Sequence, residues 1–370
     1  MAAADAPPWR GFRLFFVLAA AQASIWPLVW LPRWAGLLPV PGHLAGAAWH
    51  GHEMIFGYVA AAMAGFLTLG TGGPAIWLLA GLWLAARLAL LADAAPLLAA
   101  ALDLAFLPLL LLLRRPPLWS GGKGMSLGIL AVALGLTAVN AWTHAAALAQ
   151  GDPTRPLATA AGFVALLLVL VGGRLIPGHT RATLRRGVGL QLTAAEAASM
   201  AAGIALVGAL AAGWPIAVGI AAAALGLLQL YRLLRWWDPA VAREPLLWSL
   251  HAGFGWLAAG LLLLAASELG AGIARADALH AILVGAVGSL TLGIMTRLSL
   301  THTGRPLAAG PLSRVAFALV SLAALARIAG PPLGLATPAL TLATLAWTAA
   351  FLAFLLDHAP GLLSPARRRG

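Results

Sequence analysis

The chain has 370 residues, of which 62% are apolar and 9% charged, whereas soluble globular domains carry about 25% charged residues. That composition excludes a water-solvated globule of this size and leaves a lipid bilayer as the partner of its surface. The absence of cysteine removes disulfides, iron–sulfur clusters and thiolate metal sites, so any metal must rest on His, Met or carboxylates. A net charge of +12 would suggest nucleic acid in a soluble protein; in a membrane protein it is accounted for by loops that orient helices, with no nucleic acid.

Taken in chain order, apolar runs separated by Gly, Pro and charge clusters predict about twelve helices of membrane-spanning length. They cover residues 12–31, 46–69, 75–92, 96–113, 126–148, 156–176, 189–211, 215–234, 246–267, 278–299, 312–329 and 338–356. The runs are Leu/Ala-rich and lack the alternating faces of barrel strands. The first keeps Trp26, Trp30 and Trp34 near its far end and shows no small-residue cleavage site, which reads as a retained helix and not a signal peptide. The fold class expected is an all-α polytopic membrane bundle, one transmembrane domain over residues 1–370, without a strict internal repeat or a broken-helix pattern shared by its halves.

An even number of spans puts both termini and every second loop on one side. Of the 23 Lys and Arg residues, only Arg33, Arg87, Arg155, Arg275 and Arg327 fall on the far side. The other 18 (23 less these five) lie with the termini, among them Arg114, Arg115, Lys123, Arg186, Arg367, Arg368 and Arg369. The positive-inside rule then assigns both termini to the cytoplasm.

Chemistry is sought in ionisable groups at membrane depth, where burial demands partners. The second span opens with Trp49-His50-Gly51-His52-Glu53-Met54, about one to two turns below the outer surface. On a regular helix His50 and His52 point about 200° apart, so they serve different neighbours, with Glu53 beside them as acceptor or proton carrier. Arg87 and Asp103, at similar depth in adjacent antiparallel spans, are expected to pair. The sixth span ends in Gly172-Gly173-Arg174-Leu175-Ile176-Pro177-Gly178-His179-Thr180-Arg181, and Pro177, lacking a donor, is expected to stop the helix.

The ninth span carries Leu250-His251-Ala252-Gly253-Phe254-Gly255-Trp256, and the tenth runs from Leu279-His280 through Gly285, Gly288 and Gly293 to Arg297, His302 and Arg305. Two sets of imidazoles follow: an outer one (His50, His52, His280) and an inner one (His251, His302). Bis-imidazole haem needs two neutral His at matched depth, and its propionates favour Arg, here Arg174, Arg181, Arg297 and Arg305. His43, His144 and His358 fall near span ends, where interfacial solvation suffices, although His144 lies on the outer side. Glu196 has no obvious partner.

Those four ordered motifs, Trp49 to Met54, Gly173 to Thr180, Leu250 to Trp256 and Leu279 to Arg305, resemble the NnrS family of bacterial membrane proteins across most of the chain. One departure is His179, where the family commonly has an aromatic residue. The resemblance implies a multi-pass inner-membrane protein with haem b and copper, linked to nitric oxide response, nitrosative stress and denitrification, with His50, His52, His251, His280 and His302 as the ligand set. Haem-copper oxidases fit less well, since no His-His pair occurs and the two Tyr, Tyr58 and Tyr231, adjoin no His motif. The leading expectation is binding or redox processing of nitric oxide, with Glu53 as proton carrier and a quinol or cytochrome as electron donor. The alternatives are a transporter of haem, metal or metal–nitrosyl cargo, and a cofactor-free partner of a denitrification complex.

Overall fold

The computed structural model describes residues 10–39, 42–44, 46–113, 122–185 and 193–364. Among them twelve helices follow one another in the expected order, without a β-strand. In chain order they are α1 (Gly11–Trp34), α2 (47–67), α3 (Pro74–Leu91), α4 (Pro96–Leu113), α5 (Gly122–Leu148) and α6 (Thr154–Leu184). After these come α7 (Thr193–Ala212), α8 (Pro215–Trp236), α9 (Pro245–Glu268), α10 (Arg275–His302), α11 (Pro311–Ala329) and α12 (Ala336–Leu363). Eleven are long and apolar enough to cross a membrane, which makes the chain a multi-pass membrane protein. The twelfth, α2, opens on His50, His52 and Glu53 and is the least apolar at its start.

Of the basic residues used to orient the helices, Arg114, Arg115, Arg186, Arg367, Arg368, Arg369 and the side chain of Lys123 lie outside the described residues. Arg13, at the start of α1, donates to the carbonyls of Gly361, Leu362 and Ser364 at the end of α12. A guanidinium on the last carbonyls of a helix satisfies acceptors that have no intrahelical donor. It also brings the two ends of the described chain together.

The helices fall into two compact units, residues 1–157, 298–307 and 351–370 in the first, and 158–297 and 308–350 in the second. Proline opens α3, α8, α9 and α11, where its missing donor costs nothing and its fixed φ suits the first turn. In the first unit α1 packs on α2 through Phe15 and Phe16, the latter filling the notch left by Gly65. In the second, α8 and α9 pack along their length, and α10 lies against α9 with Trp256 over Gly285.

Two helices depart from regular α geometry. In α2 the stretch Glu53–Val59 is a π-helix between Ala47–His52 and Ala60–Leu67, and in α10 the stretch Ala281–Gly288 is π between Arg275–His280 and Ser289–His302. In each the switch follows a histidine, His52 or His280, and the spacing after it matches: Gly57, Gly65 and Thr68 in one, Gly285, Gly293 and Thr296 in the other. Inserted π turns mark functional segments more often than chance allows. No repeat over longer stretches accompanies this local correspondence.

Pro177 does not end α6, contrary to the sequence expectation: the helix runs through it to Leu184. Proline removes the donor that would reach the carbonyl four residues earlier, here Gly173. The Arg232 guanidinium on α8 lies against that glycine, so closely that a Cβ would collide with it. Within membranes, a proline-interrupted helix persists where a neighbouring helix re-satisfies the freed backbone group.

Overpacking the Gly65 notch tests the α1–α2 contact. In Gly65→Leu the first added carbon would collide with the Phe16 ring, and a loss of about 1–3 kcal/mol is expected, read as a lower unfolding midpoint in detergent. Gly81→Leu, on the exposed face of α3 with nothing within 4 Å of the added carbon, should leave the midpoint unchanged.

Candidate functional site

The site assembles in the first unit from α1, α2, α3, α4 and α5. The turn from α to π geometry at Glu53 sets its centre. A π stretch leaves backbone carbonyls off the regular ladder, and that of Gly57 is taken by the Trp83 indole N–H of α3 at 3.0 Å. Gly57 has a second use. A Cβ there would lie 2.5 Å from Gln22 Nε2 and 3.3 Å from Arg87 Cδ, so its absence lets both side chains reach past α2 toward Glu53.

Arg87 joins two carboxylates. Its Nη1 donates to Glu53 Oε1 at 2.8 Å and its Nη2 to Asp103 Oδ1. The Arg87–Asp103 pair expected from the sequence is therefore present, with Glu53 as a third member. Gln22 Nε2 donates to the other Glu53 oxygen at 2.9 Å. On Asp103 Oδ2 three donors converge: Asn140 Nδ2 at 2.6 Å, His52 Nε2 at 3.1 Å and His144 Nε2 at 3.1 Å. Glu53 and His52 are 0% exposed, Arg87 and His144 1%, Asn140 2% and Asp103 3%.

The proton positions follow from the partners. Asn140 turns its amide nitrogen to the carboxylate, so its oxygen faces His52 Nε2 at 3.0 Å. With an amide oxygen and a carboxylate oxygen both before it, Nε2 carries the proton and Nδ1 keeps a lone pair. Nδ1 is buried without a hydrogen-bond partner, with Glu53 Oε1 3.7 Å away, too far for a hydrogen bond. His144 likewise turns Nε2–H to Asp103, and its Nδ1 accepts from His43 Nε2 at 2.8 Å. His43 lies outside the spans, where burial and then the imidazoles of His144 and His52 push its pKa down to about 4 against the pull of Asp93. It is neutral at pH 7.

One guanidinium against two carboxylates leaves the cluster with one negative charge in excess when its imidazoles are neutral. Uncompensated charge at membrane depth is expensive. His52, Asp103 and His144 each offer a donor atom, all within 4.8 Å of one another, in a geometry that can hold a metal ion.

The other histidines named from the sequence lie elsewhere. His50 points away from His52, as the helical angle requires, and stacks on Trp30 with centroids 5.1 Å apart and planes at 17°. His302 belongs to the first unit, is exposed, and tilts against Phe12 at 5.0 Å. His251 and His280 belong to the second unit. Each turns Nδ1 to the carbonyl four residues earlier, Leu247 at 3.0 Å and Ala276 at 2.6 Å, while His251 Nε2 faces Trp236 O at 3.4 Å.

The arginines divide similarly. Arg174 and Arg181 are exposed on α6, Arg297 is buried and donates to Thr183 Oγ1 at 3.3 Å, and Arg305 pairs with Asp357 at 2.7 Å. Among residues given a lesser role by the sequence, His144 is not solvated at a span end but buried in the network, and His43 is bonded to it. Asn140 and Gln22 were not singled out at all. Asn140 stands one turn before His144 on a mostly apolar helix, a spacing that puts both on one face. The second unit holds a further polar chain that sequence reading missed, in which Arg232 donates to Gln229 Oε1 at 2.7 Å and Gln229 to Ser199 Oγ at 3.1 Å.

Fold and site together define a polytopic α-helical membrane protein with a buried, charge-bearing, metal-competent cluster. The NnrS protein family model matches residues 9–366, and the chain belongs to that family. Comparison with curated proteins gives no match.

The energetics of the cluster are testable by removing charges singly and together. Arg87→Met strands two buried carboxylates and should cost about 3–5 kcal/mol, measured as a lower unfolding midpoint in detergent. Adding Glu53→Gln and Asp103→Asn to Arg87→Met removes every formal charge and should recover part of that loss; a triple variant less stable than the single one would contradict the charge account.

Proposed function

We propose that this chain is a resident haem- and copper-binding protein of a bacterial cytoplasmic membrane, both termini cytoplasmic, that binds or processes nitric oxide and so protects against nitrosative stress. The observation that carries this reading is the His52–Asp103–His144 donor set, buried and one negative charge out of balance, in a chain of the NnrS family. The residues present fit a metal ion. His52, Asp103 and His144 would hold the ion, and the His52 Nδ1 that lacks a hydrogen-bond partner would carry the ring proton beside the carboxylate of Glu53. That is the carboxylate–histidine arrangement that orients metal-binding imidazoles and raises their basicity.

Copper or haem iron, when bound, supplies an open coordination position to which nitric oxide can add. The chain's own residues do the rest. Arg87 pairs with both carboxylates, Asn140 and Asp103 fix the plane of the His52 ring, and Gln22 holds one Glu53 oxygen in place. Glu53, in contact with Arg87 and adjacent to His52 Nδ1, is the group able to hold a proton beside the site.

For haem b the supporting features are His251 and His280, whose Nδ1 atoms are turned to backbone carbonyls. Such bonds fix the tautomer that offers Nε2 to iron, although His251 Nε2 would have to leave Trp236 O. Arg297 is the buried cation suited to a propionate, with Arg174, Arg181 and Arg305 as further candidates. His50, stacked on Trp30, and His302 remain ligand candidates of the same proposal. A quinol or a cytochrome is the proposed electron donor.

The test is metal analysis with reduced-minus-oxidised spectra on purified protein, before and after nitric oxide. Copper and a Soret band should survive extraction and dialysis at fixed ratio, with a nitric oxide-induced spectral shift. His52→Ala and His144→Ala should lose copper by about tenfold or more in affinity, and His251→Ala and His280→Ala should lose haem. Colourless, metal-free wild-type protein would overturn the reading, and metal that exchanges freely and drives flux in proteoliposomes would favour a transporter.

A further inference from the structure

The metal-competent cluster is sealed, and its donors are 0–3% exposed. An ion therefore needs a way in. Only one line of ligating side chains leads from the cluster toward the surface among the described contacts. His144 uses Nε2 within the donor set and presents Nδ1 to His43 at 2.8 Å. Ring centroids step from His43 to His144 by 5.1 Å and from His144 to His52 by 5.0 Å. Exposure falls along the same line, His43 being half-buried in the α1–α2 connection and His144 and His52 buried. At its outer end stands a carboxylate in the α3–α4 turn, the exposed Asp93, whose Oδ1 lies 3.7 Å from where a Cβ of Gly42, the neighbour of His43, would sit.

We propose that His43 is a loading residue: with Asp93 it captures a transition-metal cation at the α1–α2 end of the first unit and passes it by ligand exchange through His144 to the His52–Asp103 site. The proposal rests on the metal-site reading above and adds a function to residues outside the final donor set. The chemistry asks for successive neutral imidazoles close enough that one ligand binds before the last lets go, and for a negative charge at the mouth that raises the local cation concentration. No electron is exchanged. Each bond from the ion to one imidazole nitrogen forms as that to the previous ligand breaks, and the proton displaced from each nitrogen leaves to solvent along the same chain. A hydrogen-bonded support for His144 would need only His43 and no exposed carboxylate beside it.

The experiment measures uptake and equilibrium separately, on the full chain stripped of metal in detergent, with chelator-buffered Cu(I) as the probe and metal analysis of desalted, quenched samples. His43→Ala is expected to slow uptake by about tenfold or more while final occupancy and affinity stay at the wild-type level. His43→Met, which ligates Cu(I) but cannot support His144 by a hydrogen bond, should restore the rate; His43→Gln, which keeps a donor but is a poor Cu(I) ligand, should not. Wild-type uptake in His43→Ala, rescue by Gln and not by Met, or a fall in equilibrium affinity would each overturn the proposal. These outcomes are distinct from failure of the metal-site reading, in which the wild type takes up no Cu(I) or His144→Ala binds it as the wild type does.

Discussion

The first unit is organised around one guanidinium. Arg87 lies buried near the end of the apolar helix α3, where an isolated charge would cost several kcal/mol, and its two ends are met by carboxylates from different helices, Glu53 of α2 and Asp103 of α4. Meeting both at once constrains the neighbourhood. α2 must turn Glu53 toward α3, which accompanies its change to π geometry there; residue 57 must lack a side chain so that Arg87 and Gln22 can pass; and Asp103, whose Oδ1 is taken by Arg87, presents Oδ2 to the donors of α2 and α5. His52, Asn140 and His144 are thus held by an oxygen whose position is fixed by a charge on another helix.

That dependence gives the cluster its chemical character. A buried ion pair is weak support for stability but a strong constraint on geometry, because removing either partner leaves a bare charge in a medium that cannot solvate it. With two carboxylates and one guanidinium the arrangement is complete only when a further positive charge joins it, as an ion or as a proton. The family match and the His–Asp–His geometry point to the ion. The second unit's polar chain, Arg232 to Gln229 to Ser199, is different in kind: a single guanidinium set among Trp236 and Phe254, with amide and hydroxyl neighbours.

Most of the fold was legible because membrane spans are read from length and apolarity, both of which survive without tertiary context, and all twelve helices stand in the expected order. At Pro177 a tertiary contact is out of reach of the local sequence: the Arg232 side chain that lies against Gly173, the residue whose carbonyl loses its donor, comes from α8, about sixty residues away in the chain. The π stretches were not legible, since α and π turns differ by one residue and share composition. At the site, the His50–His52 divergence and the Arg87–Asp103 pair followed from helix geometry and depth. His144 was placed at the interface because it stands near the end of its span; what buries it is the loop residue His43 and the carboxylate of Asp103. Asn140 had a readable signal, one helical turn from His144, that a search confined to ionisable groups passes over.

The two π-interrupted helices separate scaffold from chemistry. In both, a histidine closes the opening α turn and glycines follow five and thirteen residues later, and in both the first glycine receives a side chain from a neighbouring helix. At Gly57 those side chains are Gln22 and Arg87, both polar; at Gly285 it is Trp256. The same backbone device therefore admits a charged network in one unit and an aromatic ring in the other. His52 accordingly ends among a carboxylate, an amide and a second imidazole, whereas His280 turns Nδ1 to the backbone of its own helix. The π turn supplies the opening, and the side chain that fills it, charged at Gly57 and aromatic at Gly285, differs between the two units.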